Sequence, residues 1–116
     1  MSENNCIFCQ VIAGEIPATI VHRDERCVAF DDINPQAPVH VLVIPVEHIE
    51  SLDEASGRDE GLLGHLLRIG ARIANERGLS ETGYRTVINT GAGAGQSVFH
   101  LHAHLLGGRA LGWPPG

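Results

Sequence analysis

The chain has 116 residues, 43% of them hydrophobic and 19% charged, with a formal net charge of −6 when histidine is neutral. That length suits one domain spanning residues 1–116 with one real core, and the composition excludes a disordered chain. An acidic balance without a basic run argues against a nucleic-acid polymer as partner, though not against a single nucleotide, and no apolar run approaches the roughly 18 residues of a membrane span. The polar start, Met1 to Asn5, lacks a basic segment followed by an apolar one, which predicts a cytoplasmic protein. Three cysteines are an odd number, against a disulfide framework.

In chain order, Cys6 to Ala13 has apolar residues at Ile7, Phe8, Val11 and Ile12, a spacing that predicts a short helix ended at Gly14. Ile20–Val21 and Cys27–Phe30 read as strands around a turn at Arg23 to Arg26, and Asp31 to Pro38 as a loop shaped by Asn34-Pro35 and Ala37-Pro38. Val39 to Ile44 is apolar and rich in β-branched residues, a buried strand stopped by Pro45. Ser56 is a helix cap, after which Leu62, Leu63, Leu66, Leu67, Ile69, Ile73 and Ala74 keep a 3.6 period up to Gly78. Tyr84 to Asn89 and Ala103 to Leu106 complete five strands. The expected class is α+β: a mainly antiparallel five-stranded sheet with one long helix packed on one face and a short N-terminal helix.

His100, His102 and His104 alternate with Leu101, Ala103 and Leu105. In a strand, residues two apart share a face, so three imidazoles would stand in a row roughly 6–7 Å apart, with the apolar residues turned to the core. Imidazole serves near neutral pH as nucleophile, acid, base or metal ligand.

The run from Thr90 to Ser97 is glycine-rich but lacks the Gly-Lys-Ser/Thr ending of a P-loop and has no helix after it. It reads as a flexible turn, or as backbone N–H groups that approach an anion, with Ser97 adding a hydroxyl. His40 is either a satisfied core histidine or, if its strand lies beside the histidine run, an orienting partner. Asp32 is either a solvated loop carboxylate or a bidentate acceptor for sugar hydroxyls. Cys6 and Cys9 form a C-x-x-C, which reads as redox or metal-binding; no thioredoxin-like context favours the former.

Taken together, these residues resemble the histidine triad (HIT) family. The run from His100 to Leu106 matches its His-φ-His-φ-His-φ-φ signature, where φ is apolar. Ile16-Pro17-Ala18, Asp32 to His40, Val43-Ile44-Pro45, Gly95 to Val98, and the ending from Gly107-Gly108-Arg109 to Gly116 resemble its Hint branch, the nucleoside phosphoramidases. The resemblance implies a dimer that hydrolyses purine nucleoside 5′-phosphoramidates, such as AMP bonded to an amine, with aminoacyl adenylates as related substrates. It implies that His102 is the nucleophile that becomes nucleotidylated. His104 would hold the phosphate and help protonate the leaving amine, and His40 would orient the nucleophilic ring. Asn89, Gly95, Gln96, Ser97 and Val98 would line the phosphate site, with Ser97 near the leaving group. Asp32 would bind the ribose hydroxyls, and Phe8, Val11, Phe30 and Ile33 would sandwich the base. Trp113, in the tail, would reach the other subunit's active site. A structural zinc, not needed for catalysis, would be held by Cys6, Cys9, His48 and His100, a closed tetrahedral set. His22 and His65 match no motif and read as surface residues. Two rivals are a zinc-dependent hydrolase with the triad as ligands, and a non-enzymatic nucleotide-sensing dimer or scaffold.

Overall fold

A computed structural model describes residues 5–116; most of the polar start, residues 1–4, lies outside them. The chain forms α1 (Ile7–Ile12), β1 (Ile20–Arg23), β2 (Cys27–Asp31), β3 (Val39–Pro45), α2 (Glu60–Glu76), β4 (Tyr84–Val87) and β5 (Ala103–Gly107). The strands make one sheet in the order β1-β2-β3-β5-β4, and every neighbouring pair is antiparallel. No helix among the described residues is long and apolar enough to cross a membrane.

The sheet buries both faces, and period-two alternation sorts the side chains between them. Toward α2 go Cys27 and Ala29 of β2, Val41 and Val43 of β3, and Ala103 and Leu105 of β5, packed with Leu66, Ile69 and Ile73 of the helix. Toward α1 go Val28, Phe30, Leu42 and Ile44, packed with Cys6, Phe8 and Val11. The expected sheet with one long helix and a short N-terminal helix is found: the long helix covers one face and α1 covers part of the other. This is why β3 reads as a continuous apolar run rather than an alternating one. At Gly70, α2 lies beside β3 with room for a side chain, since a Cβ there would make an ordinary contact with Val43 at 3.9 Å.

Element ends differ from the sequence reading in informative ways. Ser56 caps a 3₁₀ turn, Gly57–Asp59, through a capping box with Asp59, and that turn feeds α2. Pro45 is the last residue of β3 and not its stop, paired opposite Cys27. The fourth strand ends at Val87, so Ile88 and Asn89 lie in the loop beyond it. Leu67, expected on the buried stripe of α2, is exposed.

His22 and His65, read as surface residues, are half-buried and share one acceptor. The Nε2 atoms of His22 and His65 lie 2.7 and 2.8 Å from Asp24 Oδ2. Arg72 and Arg26 donate to the Nδ1 atoms of His22 and His65 at 3.0 Å each. A guanidinium only donates, so both Nδ1 atoms accept and both Nε2–H groups point at the carboxylate. Asp24 Oδ1 also accepts from the backbone N–H groups of Arg26 and Cys27 at 2.7 and 2.8 Å. Partial burial alone would raise the pKa of Asp24, but these hydrogen bonds outweigh it and hold the carboxyl well below the usual carboxylate range. Beside it, burial and the Asp24 charge push the Cys27 thiol up to about 12, so it is an inert core residue.

A carboxylate whose pKa is depressed by folding stabilises the fold above its unfolded pKa of about 3.9 and loses that contribution as pH falls toward its folded value. Asp24→Asn is therefore expected to destabilise the protein by about 1–3 kcal/mol at pH 7, in line with unpaired buried donors. The gap in Tm between variant and wild type should narrow in thermal scans below about pH 4. A constant gap from pH 7 to pH 2.5, a range spanning the unfolded carboxylate pKa, would show the network is not the cause.

Candidate active site and metal centre

The register of β3 against β5 sets Leu42 opposite His104 and His40 opposite Leu106. His40, Leu42 and His104 consequently share the α1 face, while Leu101, Ala103 and Leu105 are buried on the α2 side as the alternation predicted. The three-histidine row itself is corrected. Backbone pairing begins only at Ala103, so His100 and His102 precede the strand. The ladder stops there because Pro45 has no N–H to offer, its carbonyl lies 2.8 Å from His100 Nε2, and the Leu101 N–H donates to Ile49 O.

The row splits into two sites. His102 and His104 stay together, with ring centroids 4.9 Å apart. The Phe8 ring stands edge-on to both His100 and His102, with centroids 6.0 and 5.1 Å away. His100, fully buried, belongs with the cysteines and does not line the cavity beside His102.

That cavity, of about 230 Å³, is lined by Phe8, Val11, Phe30, Asp32, Ile33, Ser97, Val98, His102 and His104 among the residues expected from sequence. Ile7, Ile16, Pro17, Ala18 and Leu42 line it too and were not singled out as site residues. Leu42 was findable, two positions after His40 on the same strand face. Asn89, Gly95, Gln96 and Trp113 do not line it. Gln96 is a correction with a clear cause: its side chain is buried and spent on backbone. Oε1 accepts from the Gly91 N–H at 2.8 Å, and Nε2 donates to Glu50 O and Val98 O at 2.7 and 3.1 Å. It shapes the glycine loop from behind. Gly91 and Gly95 turn that loop with φ of 87° and 101°. The loop's N–H groups at Ala94, Gly95 and Gln96 bond inside it. Those of Ser97 and Val98, at the cavity, have no acceptor among the described residues. Trp113 is 82% exposed; Arg85 of β4 donates to the neighbouring Gly112 carbonyl at 2.7 Å.

Hydrogen bonds fix the tautomers of the site. His102 Nδ1 lies 2.7 Å from the His100 carbonyl, so Nδ1 carries the proton and Nε2 holds a lone pair. The Gln36 N–H donates to His40 Nδ1 at 3.0 Å, so His40 is protonated at Nε2. His40 Nε2 lies 2.9 Å from His104 Nδ1, and 3.4 Å from Asp32 Oδ2. His104 thus accepts at Nδ1 and carries its proton on Nε2. The expected partner of His40 was His102; the ring it bonds is His104. Burial pushes all three rings toward the neutral form, with Asp32 partly opposing it, and neighbouring histidines help push His104 down to about 4. Asp32 Oδ1 accepts from the Asn34 N–H at 2.9 Å, which sets the carboxylate at the rim of the cavity.

The second site gathers Cys6, Cys9, His48 and His100, whose donor atoms all lie within 4.8 Å of one another. His100 Nδ1 is 3.3 Å from Cys6 Sγ, 3.5 Å from Cys9 Sγ and 3.2 Å from His48 Nδ1; Cys9 Sγ is 3.3 Å from His48 Nδ1. Tetrahedral zinc sets nitrogen–nitrogen and nitrogen–sulfur ligand edges of roughly 3.3–3.6 Å, so the residues fit that ion. His100 Nε2–H donates to the Pro45 carbonyl, which turns the Nδ1 lone pair inward, the outer-shell arrangement of a ligating histidine. Burial pushes His100 down to about 4, which keeps the ring neutral. The N-terminal placement of the cysteines is local: Cys6 Sγ caps α1 by accepting from the Cys9 N–H.

The HIT domain family matches residues 13–111, and the chain belongs to that family. An HIT-like protein of Synechococcus elongatus is 59% identical over 116 residues, covering all of both chains. A 14 kDa zinc-binding protein of Zea mays is 48% identical over 118 residues, covering all of this chain and 91% of the relative. A crystal structure of an HIT family hydrolase from Legionella pneumophila superposes with a TM-score of 0.94 at 50% identity, covering 97% of this chain and all of the other.

If the Cys/His set holds zinc, elemental analysis of freshly purified, never-chelated protein should return it. Exhaustive chelation should then lower Tm by several degrees, because a metal bound to the native state alone stabilises it. Turnover at a temperature where the fold persists should be retained. Rapid loss of kcat with the fold intact would instead assign the metal to the chemistry.

Proposed function

We propose that this HIT-family protein hydrolyses the P–N bond of purine nucleoside 5′-phosphoramidates through a nucleotidylated His102, as in the Hint branch it resembles, and that it works as a homodimer with a structural zinc. The observation that carries the reading is the tautomer of His102. Its Nδ1–H is committed to the His100 carbonyl, which leaves a neutral Nε2 lone pair beside an apolar cavity closed on one side by Asp32. Phe8 and Phe30, in edge contact at 5.5 Å, form the apolar wall against which a purine would lie, with Val11 and Ile33 beside them. The Asp32 carboxylate suits a ribose diol.

In the proposed reaction His102 Nε2 attacks the α-phosphorus and the P–N bond breaks. The amine leaves with a proton supplied from the His104 Nε2–H, in the cavity that Ser97 also lines. Water then adds to phosphorus, the P–Nε2 bond breaks, and the proton released restores the balance. One hard displacement becomes two easier ones. The His104 Nε2–H and the free N–H groups of Ser97 and Val98 are positioned to meet charge on the phosphoryl oxygens.

For the dimer, the supporting features are an edge strand and exposed apolar side chains. β4 pairs with β5 alone, Tyr84 and Leu67 are exposed, and the Trp113 tail is tied to β4 through Arg85.

The test of the reading is intact-protein mass after brief mixing with an adenosine phosphoramidate. Wild type should gain one AMP, on His102. His102→Ala should form no adduct and lose turnover by several orders of magnitude while AMP still binds. Retention of more than about a tenth of kcat would remove His102 as the nucleophile.

Deletion of Gly112 to Gly116 should leave a folded dimer by sedimentation but change selectivity among amine leaving groups. The simplest phosphoramidate should be affected less than aromatic or lysyl-type substrates. A uniform change in kcat/KM across the series, or none, would remove the tail from the substrate site.

A further inference from the structure

The segment after β5 reaches back to the loop that carries Asp32 and leads into β3, where His40 lies. Val39 pairs with Gly107, and Gly108 then turns the chain with φ of 91°. A Cβ at Gly108 would meet Pro38 Cβ at 2.9 Å, so Gly108 packs against the Pro38 ring without room for a side chain. This contact delivers Arg109 to the Gln36 carbonyl, to which Nε and Nη2 both donate, at 3.2 and 3.0 Å. The Gln36 side chain donates to Asn34 O at 3.0 Å, and the Asp32 N–H donates to His40 O at 2.9 Å, so the loop folds onto its own backbone.

We infer that Arg109 and Gln36 are positioning residues that set the proton direction of the His40–His104 pair; as a role in turnover this rests on the reading above. The Gln36 carbonyl and N–H flank one Cα. Two guanidinium bonds on the carbonyl anchor Gln36 in the loop, and from that anchored residue the N–H points at His40 Nδ1. With that donor in place His40 Nδ1 accepts, its Nε2–H faces His104 Nδ1, and His104 offers an N–H to the cavity. Without it the opposite pair is open: His40 Nδ1–H, with His104 donating from Nδ1 and presenting a lone pair at Nε2. A lone pair there repels an anionic phosphoryl oxygen that an N–H would hold. Asp32, 3.4 Å from His40 Nε2, favours the same direction as the clamp, so clamp and carboxylate act together. Pro35, next to Gln36, has no N–H, so none from that residue competes for His40.

Long-range ¹H–¹⁵N spectra of the imidazoles at neutral pH read the tautomers directly and need no substrate. Wild type should show His40 and His104 both protonated at Nε2. Arg109→Ala should shift both toward a mixture with the Nδ1–H form and should weaken binding of a nucleoside 5′-monophosphate by about tenfold, the scale of a lost hydrogen bond to a charged group. It should lower kcat/KM alongside. Arg109→Lys, which keeps one donor, should restore most of both. Gly108→Ala, which pushes the segment off Pro38, is a second route to the same tautomer change if Arg109→Ala folds poorly. A folded Arg109→Ala protein with wild-type His40 and His104 tautomers overturns the proposal. Absence of phosphoramidate hydrolysis in the wild type would overturn the function assigned above, while the tautomer measurement would still decide the clamp.

Discussion

The antiparallel register of β3 against β5 sits beneath every other feature of the site. Because Leu42 lies opposite His104 and His40 opposite Leu106, the two histidines stand on a diagonal of one sheet face, close enough for a direct ring-to-ring hydrogen bond. A one-residue slip of β3 would turn His40 into the α2 core and bring Val41 and Val43 to the cavity side. That slip is costly because β3 is buried on both faces, against α2 on one side and α1 on the other. The hydrophobic packing of the central strands is thus also what aims the imidazoles.

Within that frame, main-chain groups set where three of the site's imidazoles keep their protons, with Asp32 supporting the choice at His40. The His100 carbonyl, the Pro45 carbonyl and the Gln36 N–H fix His102, His100 and His40 in turn. Each is neutral and each has one nitrogen free for work. Backbone partners cost little reorganisation when charge develops nearby, the arrangement expected where phosphoryl oxygens must be met without delay.

Much of the fold was legible because its periodicities are strong. The apolar run of β3 and the Leu101/Ala103/Leu105 alternation found their expected faces, and so did the 3.6 period of α2 apart from Leu67. What was not legible depends on partners far away in sequence. Nothing near Gln96 says that its amide will be consumed by Glu50 O. Nothing near His22 says that Asp24 will also receive His65 from α2. The split of the histidine row is of the same kind. Alternation tells which side a residue faces, but the end of the β3–β5 ladder at Ala103 and the bond from His100 to the Pro45 carbonyl take His100 away from His102. The metal-type cluster was readable as a set of residue types, and its closure awaited the fold.

The short helix α1 joins those two sites. Cys6 caps it and Cys9 lies within it, and between them and beyond them Phe8 and Val11 turn to the other cavity. A six-residue helix has little stability of its own, so whatever fixes its cysteines also fixes the wall on which a base would rest. The two sites are then thermodynamically linked. If a metal on the cysteines tightens the hold on a nucleotide by some factor, the nucleotide must tighten the hold on the metal by the same factor.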